Sequence, residues 1–351
     1  MANIVNALGV YSALLSGSIA GVGRAVIAPL TQDRPEYYKD YMYTKIRRFD
    51  SLVTTAQQQW YLPSTDATYT QIAKEQKFQP NTTILSDGRK AHWIGPKDAK
   101  KILLYFHGGG YILPCFWGHM RWIHDLTKSI QDQGHSFSAV ILSYSLAPGS
   151  PYPTQLQQAS TLLKHFLEVE NRSPSDLIIG GDSAGGNLTL ALLSHLLHPH
   201  PSVAPIQLNG KLSAAILISP WCSFDTTLPS NYTNEIHDVL AVKIAVRAAK
   251  DFSGGVPADA YTQASHAPKD WFRGLDRVVE NVLVWGGGKE ILIDAINLLV
   301  RRLKDDGNAN LKYVIQRGAA HEDMILETAF GYTRKAEGTE VIEKFIVEKL
   351  R

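Results

Sequence analysis

Leu177-Ile178-Ile179-Gly180-Gly181-Asp182-Ser183-Ala184-Gly185-Gly186-Asn187-Leu188-Thr189-Leu190-Ala191-Leu192-Leu193 is the stretch on which the fold turns. An apolar, β-branched run enters a G-x-S-x-G pentapeptide, and a helix-forming apolar run leaves it. The order is strand, sharp turn, helix. A serine on such a turn is held in a strained backbone conformation that lifts its Oγ out of the sheet, and small flanking residues let strand and helix approach. Ser183 also stands at a helix N-terminus, where free N–H groups and the dipole favour negative charge. The pattern therefore predicts a nucleophile.

Upstream, Lys101-Ile102-Leu103-Leu104-Tyr105-Phe106 reads as a second buried strand and runs into His107-Gly108-Gly109-Gly110. Three successive glycines can turn their N–H groups toward one point, as an oxyanion-binding loop must. In this reading Gly108 and Gly109 supply two donors and Ala184 a third. Such donors are worth about 3–4 kcal/mol each at a tetrahedral transition state. Either motif alone is a common loop; together, each on a strand end, they mark an acyl-transfer site.

A nucleophile of this kind needs a histidine base and a carboxylate, following in the order acid, then histidine. Asn281-Val282-Leu283-Val284-Trp285 reads as a strand followed by Gly286-Gly287-Gly288-Lys289-Glu290-Ile291-Leu292-Ile293-Asp294, so Glu290 or Asp294 can serve as the acid. Leu311-Lys312-Tyr313-Val314-Ile315 is the next strand, and Gly318-Ala319-Ala320-His321 places a histidine on the loop after it. His321 would take the proton of Ser183 and later return it to the leaving group.

With His107-Gly108-Gly109-Gly110, Ser145-Leu146-Ala147-Pro148 and Gly181-Asp182-Ser183-Ala184-Gly185-Gly186, the chain resembles the hormone-sensitive-lipase family of α/β-hydrolases over residues 90 to 350. The resemblance implies an α/β-hydrolase fold: a mostly parallel eight-stranded sheet, helices on both faces and a helical cap. It assigns the acid to Glu290, with Asp294 as the second position. Bacterial members carry Asp there, and Glu is the form associated with fungal relatives. Where the family usually has Glu after Leu-Ala-Pro, this chain has Gly149, and Glu322-Asp323 stands after the histidine in place of small or aromatic residues. Carboxylates there would raise the pKa of His321 if they point toward it. Leu146-Ala147-Pro148-Gly149-Ser150-Pro151-Tyr152-Pro153 is most similar to fungal secondary-metabolite-cluster hydrolases and steryl acetyl hydrolases. The implied activity is a serine carboxylesterase or deacetylase acting on a small-to-medium acyl ester or lactone of a sterol or secondary metabolite. A cyclase or condensation enzyme using the same site, a small-molecule receptor on the scaffold and a membrane-bound lipase remain as alternatives.

Length and composition agree with one large α/β core plus an appended piece: 351 residues, 44% hydrophobic. The net charge of +2 is dispersed rather than blocked into a stripe, which gives nucleic-acid binding no electrostatic support. Two cysteines, Cys115 and Cys222, allow no disulfide framework or zinc site, and read as buried thiols or as pocket walls. No metal or cofactor is implied. Cytoplasmic residence is expected, with endoplasmic-reticulum or membrane association as the alternative and dimerisation left open. Residues 1–55 are read as N-terminal cap helices, 56–220 and 281–351 as the two parts of the core, and 221–280 as a cap insertion with a helix over Val239–Val246. The apolar stretch from Ile4 to Leu30 has Arg24 as its first charge and suits either the cap or peripheral membrane contact through residues 1–30.

Tyr111, Phe116, Trp117, Trp221 and Phe224 are candidate walls for the substrate pocket. Asp182 reads as a helix N-cap. The cluster His195, His198 and His200 reads as a solvated helix end, because no carboxylate or cysteine accompanies it at ligand spacing. Asn81, Asn171, Asn187 and Asn231 match the glycosylation pattern, Asn187 by accident of its place in the helix after the nucleophile.

Overall fold

The computed structural model describes residues 2–31, 36–307 and 310–350. Eight strands, β1 (Asn81–Ile84), β2 (Lys90–Ile94), β3 (Lys101–Phe106), β4 (Phe137–Ser143), β5 (Leu177–Asp182), β6 (Leu212–Ile218), β7 (Val279–Gly287) and β8 (Leu311–Gln316), form one sheet in the order β1-β2-β4-β3-β5-β6-β7-β8. The pairings of β2 with β1 and β4 are antiparallel, and all others are parallel. Parallel strands are covered on both faces, so they read as unbroken apolar runs; every residue of β5 and β6 is buried. The expected strands are all present, most a residue or more longer than their apolar cores. β1 escapes the sequence reading because Asn-Thr-Thr-Ile is short, polar and half exposed at the sheet edge.

Alternation along the strands divides the core. Ile102, Leu104 and Phe106 of β3 enter one apolar cluster and Leu103 and Tyr105 the other. Helices α6 (Thr154–Lys164), α7 (Ala184–Leu197) and α10 (Ile293–Asp305) cover the first face through Leu156, Leu188, Leu192, Ile296 and Leu299. Helices α5 (Trp117–Asp132) and α12 (Glu337–Glu348) cover the second through Trp122, Leu126, Ile342 and Phe345. The chain winds outward from β3 to β4 and then restarts on the other side at β5. That reversal opens a crevice at the strand C-termini, the usual ligand position in such sheets.

Three N-terminal helices, α1 (Ala2–Thr31), α2 (Tyr37–Leu52) and α3 (Thr55–Tyr61), precede α4 (Thr65–Gln76). The segment between β6 and β7 carries α8 (Ser230–Thr233) and α9 (Val242–Ser253), and α11 (Asp323–Ala329) follows His321. Hydrogen bonds join α9 to the α2–α3 corner: Lys243 Nζ donates to Ser51 O at 2.8 Å, and Arg247 donates to Asp50 O at 3.0 Å and Gln58 Oε1 at 2.9 Å. The helix expected over Val239–Val246 begins only at Val242. The Val239 N–H is taken by the Asp238 carboxylate at 2.7 Å, and Glu235 accepts from Val242 N–H at 3.0 Å, so the preceding residues form a loop. Residues 32–35 of the N-terminal stretch lie outside the described residues.

Candidate active site

Ser183 stands between β5 and α7 with φ 50° and ψ −114°, a conformation a side-chain-bearing residue adopts at a cost of order 1–3 kcal/mol. Three backbone hydrogen bonds hold it there. Ser183 N–H donates to Ile218 O, and its carbonyl accepts from Asn187 and Trp221 N–H, each at 2.9 Å. A Cβ on Gly185 would lie 1.8 Å from Phe106 O, and one on Gly181 2.4 Å from the same oxygen. The G-x-S-x-G spacing is thus dictated by the approach of the nucleophile turn to the end of β3.

The elbow aims Ser183 at His321, whose Nε2 lies 2.9 Å from Oγ. On the other side of the ring, Nδ1 is 2.7 Å from Glu290 Oε2. The Glu290 contact fixes the proton on Nδ1, leaving Nε2 to accept from the serine hydroxyl. The second oxygen of Glu290 accepts from Gly287 N–H at 2.6 Å and from Ser219 O–H at 3.1 Å. Asp294 sits one helical turn away, accepting from Ser230 N–H at 2.8 Å. Of the two acids that the sequence leaves open, Glu290 alone meets the imidazole.

Burial raises the Glu290 pKa, offset in part by the hydrogen bond and charge of His321. Burial also disfavours the charge on His321, but the hydrogen bond and charge of Glu290, joined by Asp238 and Asp182, outweigh it, so the imidazole titrates above its ordinary value. Asp323, the second carboxylate after the histidine, turns away to Tyr43 and to Lys39 Nζ at 3.1 Å. Glu322 stays close, with Oε1 3.5 Å from His321 Nε2.

The glycine loop lies beside this relay. Gly109 and Gly110 border the cavity, Gly109 at φ 99°, where a Cβ would be strained. His107, buried and stacked on Tyr144, has its pKa lowered to about 3 by burial and by His119. Its neutral ring makes a 2.8 Å hydrogen bond from Nδ1 to Gly108 O, which holds the loop closed.

The cavity above Ser183 has a volume of about 440 Å³. Met42, Ile46 and Phe49 of α2 and Val239, Leu240 and Ile244 of the β6–β7 segment form its apolar roof. Of the predicted walls, Phe116, Trp117 and Trp221 border it, and Tyr111 and Phe224 do not. Tyr111 stacks on Phe252 at 3.9 Å and donates to Asn187 at 2.7 Å, while Phe224 packs behind Trp221. Both are spent on supporting the wall. Cys115 and Cys222 are free, buried thiols that do not border the cavity.

Two further expectations are corrected. Asp182 caps no helix: it is the buried last residue of β5, with Oδ2 2.8 Å from His119 Nε2 and Oδ1 accepting from Tyr105. His195 and His200 are buried rather than solvated, His195 Nε2 lying 3.1 Å from Ala204 O, and His198 Nε2 lies 2.8 Å from Trp271 O. Asn187, whose match to the glycosylation pattern reads as accidental, is indeed buried and donates to the carbonyls of Trp221 and Thr262, so it presents no acceptor. Asp238, missed in the sequence, accepts from His321 N–H at 3.0 Å and from Ile291 N–H at 2.7 Å and so joins the histidine loop to the acid loop. It lies in an irregular loop with no motif around it, so no local signal marks it.

A family model for the alpha/beta hydrolase fold matches residues 103–324, which contain the glycine loop, the elbow, Glu290 and His321. The chain belongs to the α/β-hydrolase fold family. This α/β-hydrolase is similar to an esterase of Acinetobacter venetianus, 31% identical over 196 residues covering 56% of this chain and 59% of the esterase. It is also similar to the arylacetamide deacetylase of Bos taurus, 34% identical over 157 residues covering 43% of this chain and 37% of that protein. The matched region thus spans less than two thirds of these relatives' length. A crystal structure of an esterase from the bacterial hormone-sensitive lipase family superposes on this α/β-hydrolase with a TM-score of 0.68 at 21% identity, covering 91% of this chain and all of the other, which is a likeness of fold.

Proposed function

We propose that this α/β-hydrolase is a serine carboxylesterase or deacetylase. The observation that carries the reading is the unbroken relay from Ser183 through His321 to Glu290, opening onto an apolar cavity. Ser183 Oγ attacks the ester carbonyl while His321 Nε2 takes its proton, and Glu290 stabilises the imidazolium. The oxyanion develops against the backbone N–H groups of Gly108, Gly109 and Ala184. His321 then protonates the leaving alkoxide, and water attacks the acyl-enzyme by the reverse route. An intact relay is of no use to a receptor, and the names of the relatives, esterase and arylacetamide deacetylase, support hydrolysis.

The roof of α2 and the β6–β7 segment excludes water and selects substrate by apolar contact, which suits an acetyl or short acyl ester of a hydrophobic alcohol such as a sterol or secondary metabolite. We further infer that α1 makes peripheral membrane contact, giving such substrates a route to the site. Hydrolysis of p-nitrophenyl esters of rising acyl length tests the main reading. The wild type should cleave the short esters, and Ser183→Ala should lose about 10⁴-fold or more in kcat while remaining folded. A folded wild type inert on the whole series would overturn ester hydrolysis and favour a cyclisation or condensation.

A further inference from the structure

α2 turns one face to the cavity through Met42, Ile46, Phe49 and Asp50, the i, i+4, i+7, i+8 spacing of a single helical stripe. The first three are apolar, and the stripe ends on a carboxylate. The rise of an α-helix puts Asp50 about 12 Å along α2 from Met42. Oδ1 of Asp50 accepts from Gln58 Nε2 at 2.8 Å, which meets the structural need of the α2–α3 corner. Oδ2 takes no hydrogen bond from any described residue, and it keeps accessible surface on a side chain that is otherwise half-buried. Arg247 does not pair with it, because the guanidinium is held by the carbonyls of Asp50 and Val53 and by Gln58 Oε1. Burial raises the Asp50 pKa to about 6 against the Gln58 hydrogen bond and the Arg247 charge, so the group is largely ionised at neutral pH.

The cavity thus offers an occupant apolar contact along α2 and one unpaired acceptor oxygen where that stripe ends. A hydroxyl matches this oxygen, since a single O–H satisfies it in a charge-assisted hydrogen bond. An ammonium matches it poorly. It would bring three N–H donors to one free oxygen, and its charge would be opposed by that of Arg247. We propose that Asp50 is a specificity-determining residue that binds a hydroxyl group of the substrate remote from the scissile ester, which makes hydroxylated esters better substrates than plain alkyl ones. The inference rests on the Ser183 hydrolase reading.

Such a hydroxyl can belong to the alcohol part, as in a monoester of a diol, or to the acyl part, as in an ester of a hydroxy acid. Either way an apolar spacer lies against the stripe and the O–H reaches its end. Entering the cavity costs the hydroxyl its water, which the bond to Oδ2 offsets. A methyl group in the same place strips water from Oδ2 and leaves it without a partner. The discrimination therefore depends on length and is absent for spacers too short to reach Asp50.

The test compares monoacetates of linear α,ω-diols with alkyl acetates of the same length, and methyl ω-hydroxyalkanoates with methyl alkanoates, for the wild type, Asp50→Leu and Asp50→Asn. The hydroxyl-to-methyl ratio of kcat/KM does not depend on the folded fraction. At the spacer length that reaches Asp50, that ratio should be about tenfold higher in the wild type than in Asp50→Leu, with no difference for the shortest members. The series that responds shows which side of the ester carries the hydroxyl. Asp50→Asn keeps an oxygen for Gln58 but presents an N–H in place of Oδ2, so it should erase the advantage of a terminal hydroxyl over a terminal methoxy group, which only accepts. Survival of that advantage in Asp50→Asn would show that Asp50 is no acceptor and overturn the proposal. Equal ratios in the wild type and Asp50→Leu at every length of both series would also overturn it, while cleavage of the plain esters leaves the Ser183 reading intact. A wild type inert on every ester would remove both readings together.

Discussion

At the scale of single residues, the choice of acid decides how the relay titrates. Glu290 is fully buried and spends one oxygen on His321 and the other on Gly287 N–H and the Ser219 hydroxyl, so removing its charge leaves the imidazolium unsupported. Glu290→Gln should lower kcat by about 10⁴-fold, whereas Asp294→Asn should leave kcat near wild type, because its carboxylate serves only Ser230. His321 works as a base only when neutral, and its pKa lies above the ordinary value, chiefly because the Glu290 contact overcomes the penalty of burial. The wild-type kcat/KM should therefore rise with pH through a midpoint above 6.5, and Glu290→Gln should move that midpoint downward. A kcat/KM–pH profile of both Glu290→Gln and Asp294→Asn checks the assignment; an unmoved midpoint in Glu290→Gln would refute it. Ser183, His321 and the glycine loop were legible because each sits on a strand-end motif. Glu290 and Asp294 stand four residues apart on the same loop-to-helix segment, and only side-chain direction separates them. Glu322 stood out only as a carboxylate directly after the histidine and His119 not at all, since their meeting with Asp182 depends on three segments distant in sequence.

Among the elements, the apolar strands and the helix after the elbow were readable from period and turn chemistry, while the segment between β6 and β7 was read only in outline. Periodicity placed a helix over Val239–Val246, but the two carboxylates at Glu235 and Asp238 compete for the backbone N–H groups that would begin it. Asp238 is the more consequential of the two. One oxygen accepts from Val239 and His321 N–H, the other from Ile291 N–H, and its carbonyl accepts from Arg47 of α2. A single buried side chain thereby pins the roof segment, the acid loop and the histidine loop together. Asp238→Ala should cost about 1–3 kcal/mol for each buried N–H it orphans and lower kcat as the imidazole loses its register, with Asp238→Asn falling between Ala and wild type. Thermal denaturation alongside kcat measures both effects. A drop in melting temperature with kcat untouched would show that the histidine loop holds its place without Asp238.

Over the whole molecule, the two cores that flank the sheet take up most of the large apolar side chains, and among the described residues the exposed ones are densest along α1. Gly9, Gly17 and Gly21 turn inward, where a Cβ would press within 2.4 to 2.6 Å of Gln57, Lys45 O and Tyr41. Val5, Leu8, Tyr11, Leu15, Ile19, Val22 and Val26, spaced three or four apart, turn outward and are each more than half exposed. A helix of a water-facing surface has the reverse arrangement, with large apolar groups inside and polar groups out. The segment Val5–Ile27 is long and apolar enough to cross a membrane, yet its glycine face is committed to α2 and α3, which makes a helix lying along an interface the better fit. Burying seven such side chains at about 1.5–3 kcal/mol each gives ample driving force before the cost of association. Because α2 forms part of the cavity roof on one side and packs against α1 on the other, lipid contact at α1 would set the catalytic cavity close to the bilayer surface. The full chain should float with neutral phosphatidylcholine vesicles, and the combined variant Leu8→Ser, Leu15→Ser, Val22→Ser should stay in solution while hydrolysing a water-soluble ester at the wild-type rate. A wild type that ignores vesicles but elutes as a dimer, converted to monomer by the same substitutions, would show instead that the stripe is covered by a second copy of the chain.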